Sequence, residues 1–178
     1  RAKKMLDFSA GWGDRLIGAI ATGIDYTGVD PSNCMNPIYE QIINTLTESK
    51  SKYRIIQDGF ENVKLKDSIY DLVFTSPPFF DLEIYEDDDT QSIEKFKSVA
   101  KWRDGFLFPS IKKSYKCLKV KGHLALYITD YKKTSYVKEM KEFVKKKVKG
   151  LKYIGDIHWY DKSNKNTIRK IFVWEKKK

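Results

Sequence analysis

The sequence predicts an α/β protein with a mostly parallel sheet whose last strand is reversed. Short apolar runs alternate with segments whose apolar residues recur at helical spacing, which is the pattern of strand–helix–strand units. Near the end of the chain, two alternating runs, 153–160 and 168–174, are joined by the polar turn 161–166. Such runs pair as an antiparallel hairpin, which reverses one strand relative to the others.

The chain opens with a predicted strand, a glycine loop and a helix. The strand and loop lie within residues 5–14, and the helix follows because Leu16, Ile17, Ala19 and Ile20 recur at its spacing. Gly11 and Gly13 allow the backbone to approach a ligand closely. The N–H groups at the start of the helix favour an anionic group such as a carboxylate or a phosphate.

Two further strands end in acids. Residues 26–30 form the second strand, which ends at Asp30, and residues 53–60 contain the third, which leads to Asp58. A helix over 35–49 connects them. An acid in the position of Asp30 can accept both hydroxyls of a ribose, and Asp58 can accept from an adenine amine. Three strand ends thus offer complementary groups to one adenosine ligand.

The fourth strand, residues 70–75, is followed by Ser76-Pro77-Pro78-Phe79-Phe80. The amine of cytosine or adenine attacks poorly unless acceptors draw its protons out of the ring plane. The Ser76 hydroxyl and the Pro77 carbonyl are such acceptors, the prolines make the turn rigid, and Phe79 offers a ring for stacking. An ordinary strand-ending turn is the alternative for this segment taken alone.

The rest of the chain continues the alternation. Residues 81–92 form a polar loop, which is either a lid over a substrate or a surface insertion. Residues 93–118 are predicted to be mostly helical, with a bend near Pro109 and an end at 120–122. A fifth strand over 123–129 precedes a basic amphipathic helix over 135–148.

These motifs resemble those of the S-adenosylmethionine-dependent amino methyltransferases that act on nucleic acid. Residues 7–13 are similar to the glycine-rich first motif of that family, and Ser76 to Phe79 are similar to its catalytic (Asp/Asn/Ser)-Pro-Pro-(Tyr/Phe) tetrapeptide. The segments 79–85 and 102–106 resemble the small DNA methyltransferases of phages and large DNA viruses. The resemblance runs from about Leu6 to the end of the chain.

The resemblance implies a Rossmann-like class I methyltransferase fold with seven strands, one domain over residues 1–178, and S-adenosylmethionine as cofactor. The catalytic residues it implies are Ser76, Pro77, Pro78 and Phe79. The cofactor-binding residues it implies are Asp7, Phe8, Ser9, Ala10, Gly11, Gly13, Asp30, Pro31, Asp58, Gly59, Phe60 and Thr75. Phe80 and Tyr85 are candidates for contact with the substrate, and Asp130 is a candidate either for that role or for capping a helix.

The resemblance also suggests the reaction. In the family, Ser in the first position of the tetrapeptide is associated mainly with cytosine N4, and Asp or Asn with adenine N6. DNA cytosine N4 is therefore the favoured target of Ser76, with adenine N6, RNA bases and protein amides left open. The short interval between the first and fourth motifs has no room for a target-recognition domain, so specificity is weak or depends on missing segments or a partner.

Composition limits the class of protein. A chain of 178 residues with 41% hydrophobic content can bury one core. The net charge of +10 suits a nucleic-acid partner, although an AT-rich genome also enriches lysine. The resemblance, not the charge, favours DNA over RNA. The sequence lacks a membrane-length apolar run and a secretion signal, so we expect a soluble intracellular protein, in the cytoplasm or the nucleus of a host cell if it is viral. Because Arg1 stands almost at the first strand, the chain is expected to be a fragment.

Several residues are predicted to have no catalytic role. Cys34 and Cys117 are expected to be buried thiols with no metal site, and His123 and His158 to serve packing or face solvent. Trp12 is expected to pack beside the cofactor, and the remaining tryptophans in the core: Trp102, Trp159 and Trp174.

Two functions of other classes compete with methyl transfer. A nucleotide-dependent oxidoreductase explains Gly11, Gly13 and Asp30 but has no use for the Ser76 tetrapeptide. A non-catalytic subunit of a heterodimer keeps the fold and the basic surface, but such partners tend to lose the cofactor acids or the tetrapeptide, and this chain has both.

Overall fold

The protein forms one seven-stranded sheet with helices along the connections. The computed structural model describes residues 1–78, 96, 98–130, 135–160 and 168–178. The elements in chain order are β1 (Lys4–Asp7), α1 (Asp14–Thr22), β2 (Asp25–Val29), α2 (Asn36–Leu46), a 3₁₀ turn (Lys50–Lys52), β3 (Tyr53–Ile56), β4 (Tyr70–Thr75), α3 (Val99–Trp102), a π-helical segment (Arg103–Leu107), α4 (Phe108–Cys117), β5 (Leu118–Tyr127), α5 (Tyr136–Lys147), β6 (Leu151–Tyr160) and β7 (Ile168–Lys176).

The strand order is β3-β2-β1-β4-β5-β7-β6. The first five strands are parallel to one another, and β7 is antiparallel to both β5 and β6. This arrangement confirms the predicted mostly parallel sheet with a reversed last strand.

The register brings the ends of four neighbouring strands to one edge of the sheet. Leu6 in the middle of the sheet pairs with Thr27 on one side and with Val73 on the other. Because these strands are parallel, the loops after β1, β2, β3 and β4 all leave at the carboxyl edge. The glycine loop, Asp30, Asp58 and Ser76 therefore share that edge.

Each face of the sheet has its own core. On one face α1 and α2 cover a cluster that includes Met5, Tyr26 and Tyr53. On the other face the larger cluster is built around Leu6, Val73 and the fully buried Trp102, with α4 and α5 packed over it. Alternate residues of each strand supply the two clusters, as the pleat of a strand requires.

The sequence predicts that the helical stretch after β4 bends near Pro109, and its irregular segment lies just before that proline. The segment Arg103–Leu107 is π-helical, and the Phe108 N–H donates to the carbonyl of Arg103. Pro109 has no N–H to donate to the carbonyl of Gly105, four residues earlier, so the chain is already short of one helical hydrogen bond here. A wider turn accommodates that loss.

The start of one strand also differs from prediction. β5 begins at Leu118 rather than at residue 123, and it continues through Lys121, whose φ is 67°. Residues 57–69, between β3 and β4, contain turns but no helix. The predicted loop 81–92 and the turn 161–166 lie outside the described residues, as does the start of the predicted helix 93–118.

The predicted burial of the tryptophans is correct for two of three. Trp102 and Trp174 are buried, but Trp159 is 51% exposed, so its assignment to the core is wrong. The reason is position: Trp159 lies on the edge strand β6, at a level beyond the last residue of β5 that pairs with β7. Its ring contacts Tyr127 and Arg169 at the margin of the sheet.

The thiols also differ from each other. Cys117 is buried as predicted, whereas Cys34 is exposed on the turn before α2, where its sulfur lies 3.2 Å from the Ser32 hydroxyl. The expectation of a buried Cys34 is therefore wrong.

The described residues contain no group of side chains suited to hold a metal ion. Within the same residues, no helix is long and apolar enough to cross a membrane.

The different burial of Trp102 and Trp159 predicts that replacing them will lower the stability of the protein by different amounts. Trp102→Ala should lower the free energy of unfolding by about 3–5 kcal/mol, because it leaves a large cavity in the core. Trp159→Ala, the matched control, should cost less than about 1 kcal/mol, because half of that ring faces solvent. Urea denaturation of both variants measures the difference, and equal losses would contradict the burial described here.

Candidate active site

A fully buried carboxylate lies beneath the glycine loop. Asp7, at the end of β1, has no exposed surface. Its Oδ2 accepts from the Arg15 Nε at 2.7 Å and from the Tyr26 hydroxyl at 2.8 Å, and its Oδ1 accepts from the Ser9 N–H at 3.3 Å. The Arg15 guanidinium also donates to the Ser9 carbonyl. One charged pair thus joins β1, β2, α1 and the loop between them.

The ionisation of the partners is consistent with this pairing. Burial and the Asp7 charge raise the pKa of Tyr26 well above its ordinary value, so its hydroxyl stays protonated and donates. Burial lowers the pKa of Arg15, but the charge and the hydrogen bond of Asp7 outweigh this effect and leave it raised. Asp7 therefore positions the glycine loop, both directly through the Ser9 N–H and through Arg15.

The loop itself has a fixed shape. Gly11 and Gly13 have φ of 57° and 86°, a region that residues with a side chain rarely adopt. A Cβ on Gly13 would lie 2.9 Å from the Ile42 side chain, so this glycine also lets α2 approach. The Ala10 N–H donates to the Val29 carbonyl at 3.1 Å, which ties the loop to the end of β2.

Asp30 clamps the outer side of the loop. Its two carboxylate oxygens accept from the Gly11 N–H at 2.7 Å and from the Ser32 N–H at 3.0 Å. Burial raises the pKa of Asp30, and these two backbone donors oppose that shift. The nearby Tyr39 hydroxyl can donate either to this carboxylate or to the Gly11 carbonyl. When it donates to Gly11, each Asp30 oxygen keeps a further lone pair, so the side chain can hold the loop and still accept from a ligand. Pro31, beside it, is partly exposed.

Asp58 organises the turn after β3. Its Oδ1 accepts from the Gly59 N–H at 2.7 Å and from the Asn62 side chain at 2.8 Å. Phe60 is buried and stacks on Phe8, with ring centroids 4.9 Å apart. The two phenylalanine rings, predicted as cofactor contacts, are placed in the core below the edge.

The Ser76 turn lies beside the glycine loop, because β4 pairs with β1 and each segment directly follows its strand. Ser76 and Pro78 are partly exposed, and Pro77 is buried. Thr75 is fully buried, and its hydroxyl has no hydrogen-bond partner among the residues that the structure describes. The other predicted residues of this segment, Phe79, Phe80 and Tyr85, lie outside the described part of the chain.

Asp130 lies on the same edge, after β5. Its Oδ1 accepts from the Val137 N–H at 2.9 Å, in the first turn of α5. Of the two roles open to it, the structure shows the capping one.

Sequence reasoning missed the residues that support the site. Arg15 and Tyr26 pair with Asp7, and the Tyr39 hydroxyl donates to the Gly11 carbonyl from α2. The Lys113 ammonium, on α4, donates to three carbonyls of the turn after β3, including that of Val63 at 3.0 Å. One signal was available: an aspartate at the end of an apolar strand needs a cationic partner if it is buried.

The sequence matches no protein-family model and no curated protein. Three solved structures are similar to this chain in shape. An rRNA methylase from Streptococcus thermophilus is 16% identical with a TM-score of 0.63, over 99% of this chain and 87% of that one. A TehB-like SAM-dependent methyltransferase from Corynebacterium glutamicum is 13% identical with a TM-score of 0.64, over 99% and 82% of the two chains.

The third is the Burkholderia thailandensis 1,6-didemethyltoxoflavin-N1-methyltransferase, solved with 1,6-didemethyltoxoflavin and S-adenosylhomocysteine bound. It is 11% identical with a TM-score of 0.65, over 99% of this chain and 72% of that one. At such identities the likeness establishes the fold. The predicted Rossmann-like class I methyltransferase fold is thereby confirmed.

The burial of Asp7 with Arg15 predicts that removing the Asp7 charge will destabilise the folded protein strongly. Asp7→Asn should lower the free energy of unfolding by about 3 kcal/mol, because it leaves the Arg15 guanidinium uncompensated. Asp14→Asn changes the same residue type at an exposed position seven residues later, and should cost about 0.5 kcal/mol. Chemical denaturation of both variants tests this, and similar stabilities would show that the pair contributes little.

Proposed function

We propose that this protein is an S-adenosylmethionine-dependent methyltransferase that acts on the exocyclic amine of a nucleobase, with cytosine N4 in DNA as the favoured target. The observation that carries the proposal is the adjacency of the glycine loop and the Ser76 turn. They follow neighbouring parallel strands, β1 and β4, at one edge of the sheet. A methyl donor held by the first segment would face an amine held by the second.

The order of groups along the edge fits the cofactor. From β3 to β4 the edge presents Asp58, Asp30, the glycine loop and Ser76. These positions span three inter-strand spacings of about 4.8 Å each, roughly 14 Å in total. A ligand made of adenine, ribose and an amino acid in series has groups for the first three positions in that order, which leaves Ser76 for the target base. The Burkholderia enzyme of the same fold was solved with S-adenosylhomocysteine bound, which supports this assignment.

The acids would orient the cofactor by accepting hydrogen bonds. Asp30 has one lone pair left on each oxygen after its bonds to Gly11 and Ser32, enough for two ribose hydroxyls. Asp58 would accept from the adenine amine. The loop, held by Asp7 and Asp30, supplies a preformed surface for the amino-acid end, so little ordering is left for binding itself.

Ser76 and Pro77 would prepare the amine. Their hydroxyl and carbonyl oxygens accept hydrogen bonds from its two N–H groups, which localises the nitrogen lone pair and points it along the line of attack. S-adenosylmethionine, when bound, supplies an electrophilic methyl carbon and leaves as a neutral thioether. As the N–C bond forms, the amine loses one proton, and Ser76 can pass it to solvent because the residue is partly exposed.

Asp30 predicts how cofactor affinity depends on pH. The carboxylate accepts hydroxyls most strongly when ionised, and its pKa is raised by burial. Affinity should therefore fall as the pH is lowered, and should do so at a higher pH than for an ordinary aspartate with a pKa of about 3.9. Calorimetric titration with S-adenosylhomocysteine over a pH series measures this.

The control is Asp30→Asn, which retains an acceptor but cannot ionise. It should bind about 1–3 kcal/mol more weakly at neutral pH, and its affinity should no longer vary with pH in that range. Unchanged affinity in the folded variant would remove Asp30 from the cofactor site.

Ser76 predicts the product. Incubation with labelled S-adenosylmethionine and DNA, followed by nucleoside mass spectrometry, should yield N4-methylcytosine. Ser76→Ala should reduce turnover by about 10²-fold or more while S-adenosylhomocysteine affinity stays within about twofold, because its hydroxyl acts on the amine. Ser51→Ala, an exposed position before β3, serves as the control.

Each other outcome is informative. Near-normal turnover of Ser76→Ala would reduce the segment to a structural turn. N6-methyladenine alone would overturn the choice of cytosine, and methylation of RNA alone would overturn DNA, while both would leave the methyltransferase proposal standing.

A further inference from the structure

A basic groove lies between the last turns of α5 and the start of β6, away from the candidate active site. Its volume is about 550 Å³. Four lysines line it, Lys141, Lys145, Lys149 and Lys152, together with Tyr153 and Trp174. The groove is concave and aromatic side chains belong to its lining, which distinguishes it from lysines that simply project from a helix into solvent.

The positive charge of the groove is largely uncompensated. Lys141 lies 3.9 Å from the Asp156 carboxylate, and its ammonium lies over the Tyr153 ring, 4.4 Å from the centroid. Glu142, on the same helix, pairs with Lys146 instead. In the part of the chain that the structure describes, Lys145 and Lys149 form no ion pair, whereas Lys152 lies opposite Glu175 on β7 and interacts with its charge.

Helix stability alone does not explain this set. Lys145 lies in the last turn of α5, where a cation interacts favourably with the helix dipole. Lys149 lies beyond the helix, and Lys152 is on β6. Residues from the helix, the segment after it and the strand therefore line one concavity, and the ammonium groups of Lys141 and Lys145 come to it from the same helix, an arrangement that suits a polyanion.

The groove is displaced from the acidic edge of the sheet. α5 begins at that edge, where Asp130 caps it, and its 12 residues lead away over about 18 Å. The edge itself carries Asp30 and Asp58, which repel phosphates. A nucleic acid whose base lies at the carboxyl edge must therefore find cationic partners for its phosphates elsewhere on the surface. The lysines of the groove are such partners.

We propose that this groove binds the phosphate backbone of the DNA substrate, several nucleotides from the target base. The inference rests on the proposed function for the choice of DNA, but the groove can be tested without catalysis. Lys145, Lys149 and Lys152 supply the charge. Tyr153, which is 40% exposed, offers an aromatic surface beside them, and Trp174 is buried behind it.

The test compares two triple variants with the same change in net charge. Lys145→Glu/Lys149→Glu/Lys152→Glu alters the groove, and Lys50→Glu/Lys52→Glu/Lys64→Glu alters exposed lysines near β3, at the opposite edge of the sheet. Fluorescence anisotropy measures binding of a duplex of about 24 base pairs, which spans cleft and groove at about 3.4 Å per pair, and of one of about 5 base pairs. Calorimetry with S-adenosylhomocysteine reports cofactor binding separately.

The groove variant should bind the long duplex at least tenfold more weakly than the control variant. The slope of log affinity against log salt should fall by about 2 to 3, because each lost phosphate contact removes about 0.9. The short duplex, about 17 Å long, cannot occupy cleft and groove together and should bind the unaltered protein more weakly than the long one. A neutral triple, Lys145→Gln/Lys149→Gln/Lys152→Gln, should give an intermediate loss, and thermal melting checks that all variants fold.

Equal losses in the groove and control variants would overturn the proposal, since net charge alone would then explain binding. So would a dependence on groove lysines for an RNA duplex of the same length but not for DNA. Unaffected DNA binding with intact cofactor binding would overturn the groove and leave the proposed function in place. Loss of cofactor binding in the unaltered protein would instead overturn the proposed function.

Discussion

The ion pair of Asp7 with Arg15 is the contact on which the carboxyl edge of the sheet depends. Asp7 lies on the interior strand β1, with neighbours on both sides, and its carboxylate is fully buried. A buried charge without a partner is costly, so the chain must bring Arg15 and Tyr26 to it whenever the sheet forms. Because Arg15 also holds the Ser9 carbonyl, the same contact fixes the glycine loop. Folding of the sheet and shaping of the loop are thus one event.

Asp30 extends this coupling to the surface. Its bonds to the Gly11 and Ser32 N–H groups join the loop to the turn before α2. In the proposed function the same carboxylate accepts from the ribose, so a substitution there alters both loop and ligand. This double role is why the amide variant separates the two effects better than alanine would.

Most of the fold could be predicted from the sequence, because strand and helix periods are local signals. The four strand ends that carry glycines, acids and Ser76 were placed on one edge from their order alone, and the register agrees. The exposure of Trp159 could not be predicted, because it depends on how far β5 reaches beside β7. The partnership of Arg15 with Asp7 and the π-helical segment before Pro109 likewise arise from packing between elements, which local patterns do not record.

The edge strand β6 has a consequence for how molecules of this protein meet one another. A long strand with one open side is a template for pairing with another chain, and the outer half of β6 exposes Ile157, Trp159 and Tyr160. The shift in register between Tyr153 and Gly155, whose φ is 141°, interrupts that row of backbone donors and acceptors. Lys152 adds charge just before the interruption. The open side of β6 is therefore divided into two short stretches, one before and one after the register shift. In the stretch before it, the charge of Lys152 would repel the same residue of a second molecule and so discourage edge-to-edge aggregation.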